Sequence, residues 1–423
     1  MDFIITFLGT SSGGGPSESR NCSCLIADVV GNGNLWMFDC AEGSIRQFSI
    51  HYNEKHRLQP NKLTKIFITH MHADHIMGIV PVLRNILYPP LAVLDPDRPP
   101  KIEIFGPAGI RTFVRSILKM THTKTSDRYV VHELLTHTDP ITPCGPSDLH
   151  SSELAGRDIL CTLEDGLWRD ISGARNTFTG TELIVDAGPI QHRDPCIGYV
   201  VRELTSPNRK LVILGDTFDP SGIIPLCAEG SPPSLLIHEA TDTHIPVDVD
   251  FGLSKRSPET VLQKTLDKGH STPGMAGAFA RRISAERLVL NHIGGRFPSP
   301  RQSGDNRRRA IIREIEQQAT KAWGTSGRRA IAAFDYMTVV IPFHEPETGR
   351  DRERSQRYRG QDAASNAGRE PNEYRRYRDV EMSSPSSSSN QRRERSEYSE
   401  PHRHHSDREF EYSDHWKKRR RDY

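Results

Sequence analysis

Short apolar runs alternate with polar loops along the first 344 residues of the chain. Runs rich in Ile, Val, Leu and Phe between turn-forming residues predict strands at 3–8, 23–28, 35–38, 66–68, 102–105, 129–134, 183–187, 197–201, 211–214, 235–237 and 287–290. Helical spacing of apolar residues predicts helices at 45–49, from 76 onward, and at 110–119, 258–268, 273–283 and 307–318. Segments 330–334 and 338–342 are predicted to close the fold as a pair. The alternation of strands and helices indicates the α/β class.

Two segments depart from this pattern. Residues 136–180 are polar and lack clear periodicity, so we predict an inserted, arm-like segment outside the core of a catalytic domain that spans 1–344. Residues 345–423 are dominated by Arg, Ser, Glu, Asp and Tyr. Because such a segment cannot bury enough apolar area to offset its loss of conformational entropy, we predict a disordered C-terminal tail. The basic cluster at 417–421 would then be a nuclear address, an RNA contact or a solubilising end.

Composition narrows the location and the partners of the protein. The formal net charge is only +2, so any basic surface that binds nucleic acid must be local. Seven cysteines without a regular spacing, and no secretory signal at the N-terminus, indicate reduced thiols and an intracellular protein, nuclear or cytoplasmic. No apolar run approaches the length of a membrane span, so no membrane partner is expected.

The chemistry of the chain is concentrated directly after the apolar run at 66–68, in the sequence Thr69-His70-Met71-His72-Ala73-Asp74-His75. In an extended backbone, side chains two residues apart point the same way. His70 and His72 are therefore predicted to converge on one point, while Asp74 and His75 turn toward a second. Imidazole and carboxylate groups are the ligands of catalytic zinc, so this motif predicts a metal site.

Later strands supply candidates for the remaining ligands, because catalytic residues on an α/β scaffold gather where strands end. His192 lies between two predicted strands, Asp216 follows the strand at 211–214, and His292 follows the strand at 287–290. Together with the histidine motif they predict a site for two Zn2+ ions per subunit. One ion would be held by His70, His72 and His192 and the other by Asp74, His75 and His292, with Asp216 shared between them.

These motifs resemble the metallo-β-lactamase superfamily. Within it, the opening strand and glycine-rich loop followed by Ser19-Arg20-Asn21 are similar to the ribonuclease Z family of tRNA 3′-processing endonucleases. Similar too are Phe38-Asp39-Cys40-Ala41-Glu42-Gly43, Arg46-Gln47 and Gly106-Pro107. The most specific similarities are His238-Glu239-Ala240-Thr241 and Gly269-His270-Ser271-Thr272, which the plain β-lactamases lack. The resemblance covers residues 1–344 and excludes the tail.

The resemblance implies a four-layer αββα sandwich with the zinc site at one edge. It implies a zinc-dependent endoribonuclease that cleaves 3′ trailers from precursor tRNA by two-metal phosphodiester hydrolysis, working as a homodimer. Asp74 would act as general base on water, and His270, oriented by Glu239, would protonate the leaving oxygen. A basic surface near Arg20, Arg193 and Arg296 would favour a substrate that carries phosphate groups.

Two departures from the family pattern concern the substrate. Segment 136–180 lies where members of the family carry an arm that grips tRNA, but its sequence does not resemble that arm. The residues after His292 also differ from the family pattern. The sequence therefore leaves two alternatives beside the ribonuclease. One is a hydrolase of the same fold that acts on a small phosphodiester, sulfate ester or thioester. The other is a non-catalytic binding module, which the full set of ligands disfavours.

Overall fold

The computed structural model describes residues 1–50, 58–88, 99–301 and 304–343. In this part of the chain the strands, numbered β1 to β18 in order, are Phe3–Gly9, Ser11–Ser12, Cys24–Gly31, Asn34–Phe38, Leu63–Phe67, Ile102–Pro107, Tyr129–Leu135, Glu153–Leu154, Asp158–Leu160, Trp168–Arg175, Glu182–Ile190, Cys196–Glu203, Lys210–Leu214, Leu235–Glu239, Leu288–Asn291, Ile293–Gly294, Ile331–Ala332 and Thr338–Ile341. The α-helices, α1 to α8, are Ser44–Ile50, Ala73–Ile76, Ile79–Ile86, Ile110–Met120, Ile224–Ala228, Pro258–Asp267, Pro273–Arg282 and Asn306–Trp323. Each helix and strand predicted from the apolar pattern has a counterpart here.

Two large mixed sheets contain all of these strands except β2 and β16, which pair with each other. The first sheet has the order β18-β1-β3-β4-β5-β6-β7-β8, with β9 also paired to β7, and the second has the order β10-β11-β12-β13-β14-β15-β17. In the first sheet, β4 to β7 run parallel, and in the second, β13, β14, β15 and β17 do so. Parallel neighbours need crossover connections, which place helices on the outer faces of both sheets.

Three apolar clusters show that the architecture is the predicted αββα sandwich. One cluster lies between the two sheets and combines side chains from both, such as Phe67 of β5 and Tyr199 of β12. A second cluster packs α7 and α8 against the outer face of the second sheet, and a third packs α3 and α4 against the outer face of the first. Because each sheet buries both of its faces, its central strands are apolar runs without alternation.

The C-terminal part of segment 136–180 packs into the core, not outside it as the sequence suggested. Strand β10 forms an edge of the second sheet, and its Trp168 and Ile171 belong to the cluster between the sheets. The part of this segment without regular secondary structure also contacts the domain, because Arg111 of α4 donates a 2.9 Å hydrogen bond to the carbonyl of Thr142. The sequence does not reveal this packing, because the strands are short and polar and only isolated side chains reach the core.

The two segments predicted to close the fold do not pair with each other. Strand β17 pairs with β15 in the second sheet, whereas β18 pairs with β1 in the first. These two strands are consecutive in sequence but belong to different sheets. The apolar pattern alone does not show which sheet a strand joins. The predicted disordered tail, 345–423, lies outside the described residues. Among the described helices, none combines the length and the apolar character that crossing a membrane requires.

Candidate active site

Five strand ends at one edge of the sandwich carry the predicted site residues. The histidine motif follows β5, Asp216 follows β13, and His292 follows β15. His192 lies in the loop between β11 and β12, and Glu239 is the last residue of β14. Since β5 belongs to the first sheet and the others to the second, the site joins the two sheets at their common edge.

The structure brings four of the predicted ligands together in a first ligand group, His70, His72, His192 and Asp216, whose ligand atoms all lie within 4.8 Å of one another. His70 Nε2 is 2.9 Å from His72 Nδ1 and 3.7 Å from Asp216 Oδ2. His192 Nε2 is buried and has no hydrogen-bond partner among the described residues. The side chains therefore converge as the spacing of the motif predicted.

A second ligand group contains Asp74, His75 and His292, again with ligand atoms within 4.8 Å of one another. His75 Nε2 lies 3.3 Å from His292 Nε2, and Asp74 Oδ2 lies 3.4 Å from His292 Nε2. Asp74 and His75 lie in the short helix α2, directly after His72. The carboxylate of Asp216 stands between the groups, because its Oδ1 is 3.5 Å from His75 Nε2 while its Oδ2 faces the first group.

These two groups fit metal ions. Ring nitrogens of two histidines face each other at 2.9 Å in the first group and at 3.3 Å in the second, and the orphaned Nε2 of His192 is directed into the same space. Such lone pairs are costly to bury without a cation. Mixed imidazole and carboxylate donors suit Zn2+ and related divalent ions.

Outer partners fix the tautomer of each histidine. Thr69 donates its hydroxyl proton to Asp39, so its oxygen accepts from His70 Nδ1 at 3.0 Å. Thr241 likewise donates to Glu239 and accepts from His292 Nδ1 at 3.0 Å. An imidazole that donates from one nitrogen offers the lone pair of the other. The remaining partners are Asp194 Oδ2 at 2.7 Å from His72 Nε2, Asp39 Oδ2 at 2.6 Å from His75 Nδ1, and the Gly269 carbonyl at 2.6 Å from His192 Nδ1.

Burial and neighbouring charged groups shift the pKa values of the histidines and aspartates in the site. Burial lowers the pKa of His70 well below its ordinary value, and neighbouring His75 lowers it further. Burial also disfavours charge on Asp216, but the adjacent His292 and His75 outweigh it and hold the pKa of Asp216 well below its usual range. Burial likewise opposes ionisation of Asp74, yet the neighbouring His292 and His75 keep the pKa of Asp74 low. Both aspartates are therefore carboxylates at neutral pH.

The Glu239–His270 pair lies beside these groups. Glu239 Oε1 is 3.2 Å from His270 Nδ1 and accepts a 2.5 Å hydrogen bond from the Thr217 backbone. Burial lowers the pKa of His270, but the hydrogen bond to Glu239 and the charge of that carboxylate outweigh it, so the pKa lies above its ordinary value. Thr272 caps α7 by accepting from Met275 N, with Pro273 in the first turn, and this helix start fixes the position of His270.

The glycine-rich loop reaches the same site. Gly13 N donates a 2.7 Å hydrogen bond to Asp74 Oδ2. Arg20, at the end of this loop, cannot contribute to a basic surface, since it is buried and donates to Thr10 Oγ1 and to the Ala333 carbonyl. The side chains of Arg193 and Arg296 are exposed by 53% and 44%, and each lies beside a carboxylate, that of Asp194 at 3.6 Å and that of Asp242 at 3.8 Å.

Several residues that orient the ligands have no role predicted from the sequence. Asp39 directly follows strand β4, so the strand-end rule that selected Asp216 would also have selected it. Gly269 and Thr241 stood in recognised motifs but act through a carbonyl and a hydroxyl, whose partners only the folded chain reveals. Asp194 had no signal beyond its position two residues after His192.

Known proteins resemble this chain in sequence and in fold. A family model described as a β-lactamase superfamily domain matches residues 36–293. The zinc phosphodiesterase ELAC protein 1 of Homo sapiens is 28% identical over 402 residues, covering 81% of this chain and 99% of that protein. Ribonuclease Z of Streptococcus sanguinis (strain SK36) is 29% identical over 363 residues, with the same shares of 81% and 99%.

A solved structure extends the comparison to the fold. The crystal structure of human tRNase Z, short form, superposes with a TM-score of 0.54 at 31% sequence identity, and the match covers 80% of this chain and 99% of that one. The sequence match, the αββα sandwich and the convergent histidines and aspartates agree. The chain belongs to the metallo-β-lactamase superfamily and, within it, to the ribonuclease Z family.

Proposed function

We propose that this protein is a zinc-dependent endoribonuclease that removes 3′ trailers from precursor tRNA. The observation that carries the proposal is the Glu239–His270 pair, placed beside a complete set of seven metal-ligand candidates. The names of its relatives, ribonuclease Z and tRNase Z, support the same substrate. Of the alternatives, a thioester hydrolase would have less need of such a pair, because a thiolate leaves more readily than an alkoxide without a proton.

Two zinc ions fit the residues that are present. The first ligand group would hold one ion and the second ligand group the other, with Asp216 shared. When bound, the ions would polarise the phosphodiester, lower the pKa of water and neutralise charge that develops on the phosphate oxygens. Asp39, Thr69, Thr241 and the Gly269 carbonyl hold the imidazole rings in the orientations that this requires.

Asp74 is the proposed general base. Its pKa lies below the ordinary value, because the neighbouring His292 and His75 outweigh the effect of burial, so the carboxylate is ionised at neutral pH. The Oδ2 atom lies among His292 Nε2, His75 Nε2 and Gly13 N, so a water in the ligand pocket would be within its reach. Asp74 would accept the proton of that water as the water attacks phosphorus.

His270 is the proposed general acid. Glu239 accepts the Nδ1 hydrogen of His270, which leaves Nε2–H to donate to the leaving oxygen. The raised pKa of His270 keeps this proton present near neutral pH. A ribose oxygen is a poor leaving group as an anion, so its protonation in the transition state favours cleavage of RNA.

The substrate test compares precursor tRNA with bis(4-nitrophenyl) phosphate on the purified, zinc-loaded full chain. We expect endonucleolytic cleavage at the junction with the 3′ trailer, abolished by a chelator and restored by Zn2+. Asp74→Ala should lower the rate by several orders of magnitude while the protein stays folded. Hydrolysis of the small diester without any cleavage of precursor tRNA would instead favour the small-phosphodiester hydrolase.

Two further parts of the proposal concern assembly and location. We propose a homodimer, as the family resemblance implies, which sedimentation equilibrium checks directly. We also propose an intracellular location, nuclear or cytoplasmic, which is supported by seven cysteines that are all free. Imaging of a tagged full chain, with and without residues 417–421, tests the location and the role of the basic cluster.

A further inference from the structure

The short loop between β11 and β12 serves the metal site twice. It supplies His192 to the first ligand group, and two residues later it supplies Asp194. Asp194 Oδ2 lies 2.7 Å from His72 Nε2, while the other ring nitrogen of His72 faces His70 Nε2 at 2.9 Å. His72 follows a strand of the first sheet, and Asp194 lies between strands of the second.

Asp194 differs from the groups that orient the other histidines. Asp39, which binds His75, is 6% exposed at its side chain, whereas Asp194 is 58% exposed. Its Oδ2 also lies 3.6 Å from Nε of Arg193. An exposed ion pair contributes little to folding stability on its own. A charged hydrogen bond of 2.7 Å to a ligand ring is therefore better explained by an effect on the ligand.

We propose that Asp194 is a positioning residue for the metal ion of the first ligand group. Its carboxylate accepts the Nε2 hydrogen of His72, which leaves the Nδ1 lone pair directed at His70 and makes that nitrogen a stronger donor. The same contact connects the β5 loop to the loop that carries His192, so it aligns ligands from both sheets. This inference rests on the metal site of the proposed function and concerns metal affinity, not turnover.

The test measures Zn2+ binding by the metal-free full chain, without substrate, in competition with a chromophoric chelator. Asp194→Ala should weaken one of two sites by about 10- to 100-fold, and Asp194→Asn, which keeps the shape and a neutral acceptor, by less. Asp248→Ala, which removes an exposed carboxylate between β14 and α6, is the matched control and should leave both sites unchanged. Circular dichroism of each metal-free variant monitors the fold.

A double-mutant cycle with His72→Ala separates an effect through His72 from a general effect on the loop. In the His72→Ala background, Asp194→Ala should cause no further loss of affinity. Equal losses in both backgrounds, or wild-type affinity in Asp194→Ala, would overturn the inference. If the wild type bound two ions but cleaved no precursor tRNA, only the proposed function would fail. If it cleaved while Asp194→Ala bound zinc normally, only this inference would fail.

Discussion

The carbonyl oxygen of Gly269 lies 2.6 Å from Nδ1 of His192, and only glycine permits this approach. Gly269 has a φ of +77°, and a Cβ atom there would lie 2.5 Å from the Arg193 backbone nitrogen and 2.7 Å from His192 Nδ1. No side chain could be accommodated without moving the loop that carries His192. Gly269, which directly precedes the proposed general acid His270, is thus hydrogen-bonded to the metal-ligand candidate His192.

Gly269→Ala should therefore weaken zinc binding by at least about tenfold, because the added methyl displaces His192 and breaks the hydrogen bond that fixes its tautomer. Chelator competition gives the affinity, and thermal melting of the metal-free protein gives the stability. Gly230→Ala is the matched control, since Gly230 has a φ of +66° and nothing within 4 Å of the added Cβ. It should share the conformational strain without the loss of zinc. Equal affinities in the two variants would contradict the positional role of Gly269.

Removal of the proposed acid should depend on the leaving group. His270→Ala is expected to slow cleavage of precursor tRNA by about 10²- to 10⁴-fold. It should change hydrolysis of bis(4-nitrophenyl) phosphate far less, because 4-nitrophenolate leaves readily without a proton. The measurement is kcat on both substrates at saturating zinc.

Glu239→Gln provides the companion variant for this experiment. It keeps the size of the side chain and an acceptor for Thr217 N, but it removes the charge that raises the pKa of His270. Its effect should again be larger on RNA than on the nitrophenyl ester, and smaller than that of His270→Ala. Equal losses on both substrates would show that the pair acts on binding or structure instead of on proton transfer. Zinc content, measured in parallel, separates these cases.

Much of the site could be predicted because ligand chemistry has a strong local signal. Three histidines and an aspartate within His70–His75 follow one strand, and the strand-end rule located His192, Asp216 and His292 from single residues. Parallel strands that end at one edge bring such residues together whatever lies between them.

What the sequence concealed depends on long-range packing. Trp168 stands out in its polar segment as an apolar anchor, but the sequence does not show that this anchor lies between the two sheets, where it is 3% exposed. Arg20 reads as a surface cation, yet its guanidinium is enclosed by Thr10 and Ala333, a residue more than 300 positions away. Neither the apolar periodicity nor the composition of a segment shows which distant strand packs against a given side chain. The burial of an isolated residue therefore cannot be predicted without the three-dimensional structure.

Asp335 should make stability depend on pH. Its buried carboxylate accepts hydrogen bonds from Asn21 N at 2.6 Å, Thr10 Oγ1 at 2.8 Å and Gln47 Nε2 at 3.1 Å. Burial nevertheless raises the pKa of Asp335 from 3.8 to about 6. In this range the folded protein binds a proton that the unfolded chain has released. The contribution to stability is thus complete below about pH 4 and is lost as the pH rises through about 6.

The measurement compares the free energy of unfolding of the wild type with that of Asp335→Asn, whose amide does not titrate. The difference, wild type minus variant, should fall by on the order of 2 to 3 kcal/mol between about pH 4 and 7. Other titrating groups are common to both proteins and cancel. A difference that stayed constant, or rose with pH, would show that the hydrogen bonds keep Asp335 ionised throughout.

The C-terminal boundary of the catalytic domain can be located by truncation. Strand β18 pairs with β1 through Phe3–Ile341 and the three following residue pairs, and Phe343 N donates to Asp2 Oδ1 at 2.8 Å. A chain that ends at Phe343 keeps all of these contacts. We expect it to retain the melting temperature and the zinc content of the full protein.

A chain that ends at Met337 supplies the contrasting control. It lacks β18, which removes Val339 and Ile341 from the core between the sheets and exposes the edge of β1. Unpaired edge strands promote association, and loss of two core side chains costs several kcal/mol. This shorter chain should melt at a markedly lower temperature or aggregate, as monitored by circular dichroism and light scattering. Failure of the chain ending at Phe343 to fold would instead place the boundary within residues 344–423.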